Sequence, residues 1–172
     1  MSTIKFSGSE FDKLPDPLCQ SFKAMKKQWD EQLALLSLDF QPTPELSASM
    51  LKVWASSLFV AESCLRRPEL LIELVSSGDL LSAYTEPSYT NKLAQLTIDT
   101  EVQLMQVLRQ FRRREMVRIA WRDLAGWAPL AETLVEVCGW LMLVFKRHWP
   151  FFISKLVTNV AYRYWQMAVL SK

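Results

Sequence analysis

Apolar residues recur at steps of three and four along most of the chain between residues 16 and 137. That spacing lines one side of a helix with 3.6 residues per turn, so it predicts an all-α chain. Pro15 and Pro17 open a helical stretch to about Leu38. Gln41-Pro42-Thr43-Pro44 stops it and starts the next, with Thr43 as cap and Pro44 at the first helical position, where no N–H partner is needed. Leu46, Met50, Val53, Trp54, Leu58 and Ala61 then form an apolar stripe. Arg66-Arg67-Pro68 turns the chain into a short helix that ends at Ser77-Gly78. Pro87-Ser88 starts a long central helix, whose face continues through Leu104, Leu108, Phe111, Val117, Trp121 and Leu124 until Gly126 closes it. Pro129 starts a further helix carrying Leu130, Leu134 and Val137. No strand pattern, internal repeat or low-complexity tract occurs before Glu136.

Composition sharpens this picture in two ways. Half of the 172 residues are hydrophobic, enough for one domain to bury a real core. The net charge of +2 is unevenly spread. All eighteen acids lie at or before Glu136, against fifteen Lys and Arg there, whereas residues 137–172 hold five basic residues and no acid. Three of the seven tryptophans (Trp140, Trp149, Trp165) also fall in that last stretch. A break of this kind marks a boundary, an anchor or a disturbed reading frame.

Candidate chemistry is sparse. Cys19, Cys64 and Cys138 are far apart, odd in number and without metal-ligand spacing, which fits a reduced, cytosolic setting and no zinc. His148 is the single histidine, so serine–histidine and cysteine–histidine arrangements have nothing to rest on. Asp99 and Glu101 stand two apart and diverge on a helix, which is poor for shared metal chelation. The first residues contain no apolar core of a signal peptide, and the longest apolar run, Trp140–Phe145, is far short of the roughly 20 residues of a membrane span.

The strongest feature is Leu108–Gly126, LRQFRRREMVRIAWRDLAG. Arg109, Arg112, Arg113, Arg114, Arg118 and Arg122 sit there among large apolar residues. Arg109, Arg112 and Arg113 fall on one side, and Arg118 and Arg122 stack one turn apart. Glu115 is placed to pair with Arg112 or Arg118, and Asp123 lies nearby. Three readings stay open: a solvated or interface face with partner acids, a phosphate-facing site built on the bidentate fork of arginine, and a duplex-binding patch. The acidic balance of residues 1–136 works against the last.

This run, followed by Ala131–Val137 (AETLVEV), closely resembles a signature of the glutamine synthetase adenylyltransferase / adenylyl-removing enzyme family. Phe59–Leu80, FVAESCLRRPELLIELVSSGDL, resembles the family's N-terminal helical segment. Together they span about residues 40–137 in the family's order. The resemblance implies a large bifunctional enzyme with two nucleotidyltransferase-type domains. One removes AMP from a tyrosine of glutamine synthetase by phosphorolysis; the other attaches AMP from ATP with Mg²⁺. It implies glutamine synthetase and the PII nitrogen-signalling protein as partners, with regulation by glutamine. It further implies a Gly-Ser-x…Asp-x-Asp catalytic pattern, whose two acids on a strand point the same way. No such pattern follows Gly126, so no catalytic, cofactor-binding or metal-binding residue carries over, and the expected cofactors of this chain are none.

After AETLVEV the family resembles a helix of the form Leu-Ala-Asp-x-x-Ile-x-x-Ala-Leu, where this chain reads CGWLMLVFKRHWPFFISK. Reading the permitted codons from the third base of Gly139 allows LADACIQAALAFLYQQ instead, with the Trp149–Pro150 pair forcing an alanine. The expected organisation is therefore a flexible leader at 1–15, a helical segment at 16–137 and an out-of-frame tail at 138–172. Such a tail exposes aromatic residues without designed partners, and marginal stability is expected. The rival expectation is a self-contained all-α interaction module that binds glutamine synthetase or a nitrogen-signalling protein and ends in a basic, aromatic membrane-surface tail.

Overall fold

A computed structural model of the 172-residue chain describes residues 15–94 and 101–141. Of the expected leader at 1–15 and tail at 138–172, residues 1–14 and 142–172 lie outside the described residues. Among the described residues every regular element is helical, and no strand occurs.

Helix α1 spans Asp16–Leu35, α2 Pro44–Ser56, α3 Leu58–Arg66 and α4 Pro68–Ser76. A 3₁₀ turn follows at Asp79–Leu81, then α5 at Glu86–Ala94 and α6 at Glu101–Ala125. Residues 130–141 form a further helix, α7. The long central helix expected from Pro87 to Gly126 is thus seen as α5 and α6, and residues 95–100 between them lie outside the described residues.

The punctuation follows local chemistry. Thr43 Oγ1 accepts from the Leu46 amide at 3.3 Å, and Pro44 and Pro68 occupy first-turn positions that need no amide partner. Gly78 and Gly126 end their helices with φ of 74° and 79°, a left-handed conformation that costs a side chain-bearing residue but not glycine.

One expectation needs correction. The stripe from Leu46 to Ala61 is not one continuous face. Ser57 is extended (φ −140°, ψ 100°) and its hydroxyl caps α3 through the Val60 amide at 3.4 Å. The kink buries Val60, Ala61 and Cys64 and leaves Leu58 64% exposed.

The chain divides into two compact units. The first comprises residues 1–83 and 97–133. Its core joins Phe22 and Trp29 of α1 to Met50, Val53 and Trp54 of α2, to Cys64 of α3, to Leu71 and Leu74 of α4 and to Val117 and Trp121 of α6. Aromatic rings meet there edge to face: Trp29 lies 5.7 Å from Trp54 at 76° and 5.8 Å from Phe40 at 79°. Such pairs add roughly 0.5–1.5 kcal/mol beyond their burial. The Trp121 indole N–H donates to Ser49 Oγ at 3.0 Å, tying α6 to α2. Burial pushes the Cys64 thiol pKa far above its ordinary value, so it stays protonated. The three cysteines form no disulfide.

The second unit comprises residues 84–96 and 134–172. In its described part, Tyr84 and Tyr89 meet edge to face at 5.3 Å, and Lys92 Nζ lies 5.3 Å from the Tyr84 ring centre. The Tyr84 amide donates to Glu136 Oε1 at 2.6 Å, and the Tyr89 hydroxyl donates to the Glu136 carbonyl at 3.4 Å.

Candidate functional site

The six arginines of α6 divide by the face on which the helix places them. Arg114, Arg118 and Arg122 follow one another at four-residue steps, so their side chains stack along one side. That side is turned into the first unit. Arg118 is fully buried, Arg122 nearly so and Arg114 mostly covered. Arg109, Arg112 and Arg113 are exposed.

Each inward arginine meets an acid. Arg114 Nε donates to Glu73 Oε1 at 2.9 Å, Nη1 donates to Glu115 Oε1 at 2.5 Å and Nη2 pairs with Asp79 Oδ2. Arg118 Nε donates to the other oxygen of Glu115 at 2.8 Å, and its Nη1 donates to the Ser82 carbonyl at 2.9 Å. Arg122 Nη2 pairs with Glu132, and its Nη1 reaches the Leu80 carbonyl at 3.5 Å. Glu115 is fully buried and bridges two guanidinium groups with its two oxygens.

This is a clamp on the turn between α4 and α5. The Leu80 carbonyl lies within the 3₁₀ turn and the Ser82 carbonyl at its end. Arg122 donates to the buried Leu80 carbonyl and Arg118 to the part-buried Ser82 carbonyl. Asp79 and Glu73 anchor the start of the same turn and the end of α4. Taking these charges out of water is costly, and only their mutual pairing and hydrogen bonds offset it. The arrangement leaves the inward guanidinium forks engaged by protein oxygens. Among the described residues no group of three or more His, Cys, Asp or Glu could hold a metal ion.

Two of the four carboxylates come from far away in sequence. Glu73 and Asp79 stand 41 and 35 residues from Arg114, so helical spacing within α6 could not reveal them. The near-neighbour pairing of Glu115 with Arg118 was visible in the spacing and occurs. Asp123 Oδ1 instead accepts from the Thr133 hydroxyl at 3.3 Å. Sequence reasoning also missed Ser49 as the partner of Trp121, and Glu136 as a buried acceptor. No helix among the described residues is long and apolar enough to cross a membrane.

Comparison with known proteins identifies the family of the chain. The family model of glutamate-ammonia ligase adenylyltransferase matches residues 47–160. A bifunctional glutamine synthetase adenylyltransferase/adenylyl-removing enzyme of Nitrosococcus oceani is 45% identical over 127 residues, 73% of this chain and 13% of the relative. The protein of the same name from Thioalkalivibrio sulfidiphilus is 38% identical over 129 residues, again 73% of this chain and 13% of the relative. That of Pseudomonas aeruginosa is 37% identical over 102 residues, 58% of this chain and 10% of the relative. The chain thus spans about one eighth of the length of the first two of these curated relatives. No solved structure matches. The matched range takes in most of α2, all of α3 and α4 and the whole arginine helix with its clamped turn, and the chain belongs to the glutamate-ammonia ligase adenylyltransferase family.

Proposed function

We propose that this chain corresponds to the helical N-terminal part of an enzyme that attaches adenylyl groups to glutamine synthetase and removes them, and that it supplies scaffold rather than catalysis. The observation that carries the reading is the clamp. The arginines that the helix turns inward, Arg114, Arg118 and Arg122, are already engaged by Glu73, Asp79, Glu115, Glu132 and two backbone carbonyls. An arginine serving a phosphoryl group needs a free fork facing an open site. Here the forks hold a turn.

On this reading ATP and Mg²⁺ belong to the remainder of the enzyme, and the polypeptide alone turns over nothing. Its protein partners are glutamine synthetase and the PII signalling protein, in a reduced cytoplasmic setting. The direct test is release of AMP from adenylylated glutamine synthetase in the presence of phosphate. The 172-residue chain gives background rates; release above background overturns the proposal.

We also propose that the reading frame is displaced by one base near Cys138, so that residues from about Gly139 are not family sequence. The absence of acids after Glu136 and the family-like helix permitted in the alternative frame support this. The family match extends to residue 160, past that point, so the gene itself is the arbiter. Its sequence downstream should encode the family's Asp-x-Asp pattern in the shifted frame. A continuous family sequence in the present frame, or none in either, rejects the displacement while leaving the scaffold proposal standing.

A further inference from the structure

The three arginines that the clamp does not use point to a second role for α6. Arg109, Arg112 and Arg113 are exposed and lie within one turn of each other. No carboxylate among the described side chains pairs with them, whereas the three inward arginines take four. Like charges three and four residues apart on a helix repel, by a few tenths of a kcal/mol per pair. A structural helix gains nothing from this crowding, but an opposing set of negative charges would relieve it.

Two exposed apolar residues continue the same side one turn earlier. Val102 is 67% exposed and Met105 36% exposed, and the steps from 102 to 105, 109, 112 and 113 follow the helical repeat. Arginine and methionine beside an apolar residue is the composition enriched at protein interfaces. Arg109, Arg112 and Arg113 stand two turns or more into α6, so their charges do not sit at the free amides of a helix start. Three charges on a segment with eighteen acids against fifteen bases are also too few for a duplex footprint.

We propose that Arg109, Arg112 and Arg113, with Val102 and Met105, form a docking face for a protein surface that presents carboxylates about one helical turn apart beside an apolar strip. The proposal is independent of whether the chain acts on glutamine synthetase. The full 172-residue chain is titrated against a labelled helical peptide carrying glutamates at four-residue steps and leucines between them. Its glutamine and lysine counterparts serve as controls. The chain should bind the glutamate peptide and not the glutamine one. R109Q/R112Q/R113Q should weaken binding at least about tenfold, an effect of 1.4 kcal/mol. R109E/R112E/R113E should transfer the preference to the lysine peptide. Circular dichroism checks that helicity is retained; if the charge-reversed chain does not fold, the glutamine variant decides. Equal binding by parent and R109Q/R112Q/R113Q overturns the proposal, as does failure to bind the glutamate peptide. Displacement by AMP or pyrophosphate with the same arginine dependence overturns it in favour of a phosphate ligand. Self-association in sedimentation velocity that the same substitutions abolish overturns it in favour of a second copy.

Discussion

The two sides of α6 use the same residue for opposite purposes. Arg118 and Arg122 are buried and Arg114 is mostly covered, and each of the three pairs with an acid, whereas Arg109, Arg112 and Arg113 lie in water with no acid partner among the described residues. The helix carries both sets because a four-residue step keeps a side chain on its face, while the neighbouring position turns it about 100° away. Composition alone therefore misstates such a helix. Its charge is half internal structure and half available surface, and burial decides which is which.

Substitution should separate the two sides by the size of the effect. The largest loss is expected at Arg118, the buried partner of the bridging carboxylate. Arg118→Met removes a fully buried partner of Glu115 and uncovers the Ser82 carbonyl, and should cost about 3–5 kcal/mol in urea unfolding. Replacing both members, Glu115→Leu with Arg118→Met, should recover a good part of that loss, because no half-paired buried carboxylate remains and Arg114 keeps Glu73 and Asp79. A double variant as weak as the single one would show that the Ser82 contact, not the ion pair, dominates.

Smaller effects are expected where the same unit depends on neutral contacts. Ser49→Ala leaves the buried Trp121 N–H without its acceptor and should cost roughly 1–3 kcal/mol by the same measurement. Thr43→Ala removes the cap of α2 and should cost about 1 kcal/mol. Thiol chemistry adds a kinetic contrast. Cys138 is exposed and should react with a disulfide reagent in the native chain, while Cys64, buried with its pKa raised, should react only on unfolding. The sign for stability is unfavourable at high pH. Above the ordinary thiol value of 9.0, the unfolded chain releases a proton that folded Cys64 retains, so stability falls as pH rises past that point. Native labelling of Cys64 at the rate of Cys138 would contradict the packing of α3 against the core.

Much of this architecture was legible in the sequence because it is local. Thr43 before Pro44, Pro68, Gly78 and Gly126 mark helix ends by backbone geometry that these residues alone favour, and they do so here. Met50, Val53, Trp54 and Trp121 announced the core by spacing. The break at Ser57 was not legible, since Leu58 continues the apolar period across a kink that leaves it outside. Periodicity also named Leu130 and Leu134, which are 69% and 55% exposed. The clamp was half legible. Glu115 and Arg118 declare themselves at three-residue spacing, but Glu73 and Asp79 meet Arg114 only once α4 and α6 have packed, and no local pattern encodes that meeting. The family itself was legible because the arginine run joins both kinds of constraint in one unusual string.

The most direct test of the division of α6 is equilibrium urea unfolding of the parent chain, Arg118→Met and R109Q/R112Q/R113Q measured side by side. The account predicts a midpoint sharply lowered in Arg118→Met and within about 0.5 kcal/mol of the parent in the triple variant, despite its removing three charges rather than one. Equal losses in the two variants, or a larger loss in the triple variant, would contradict it.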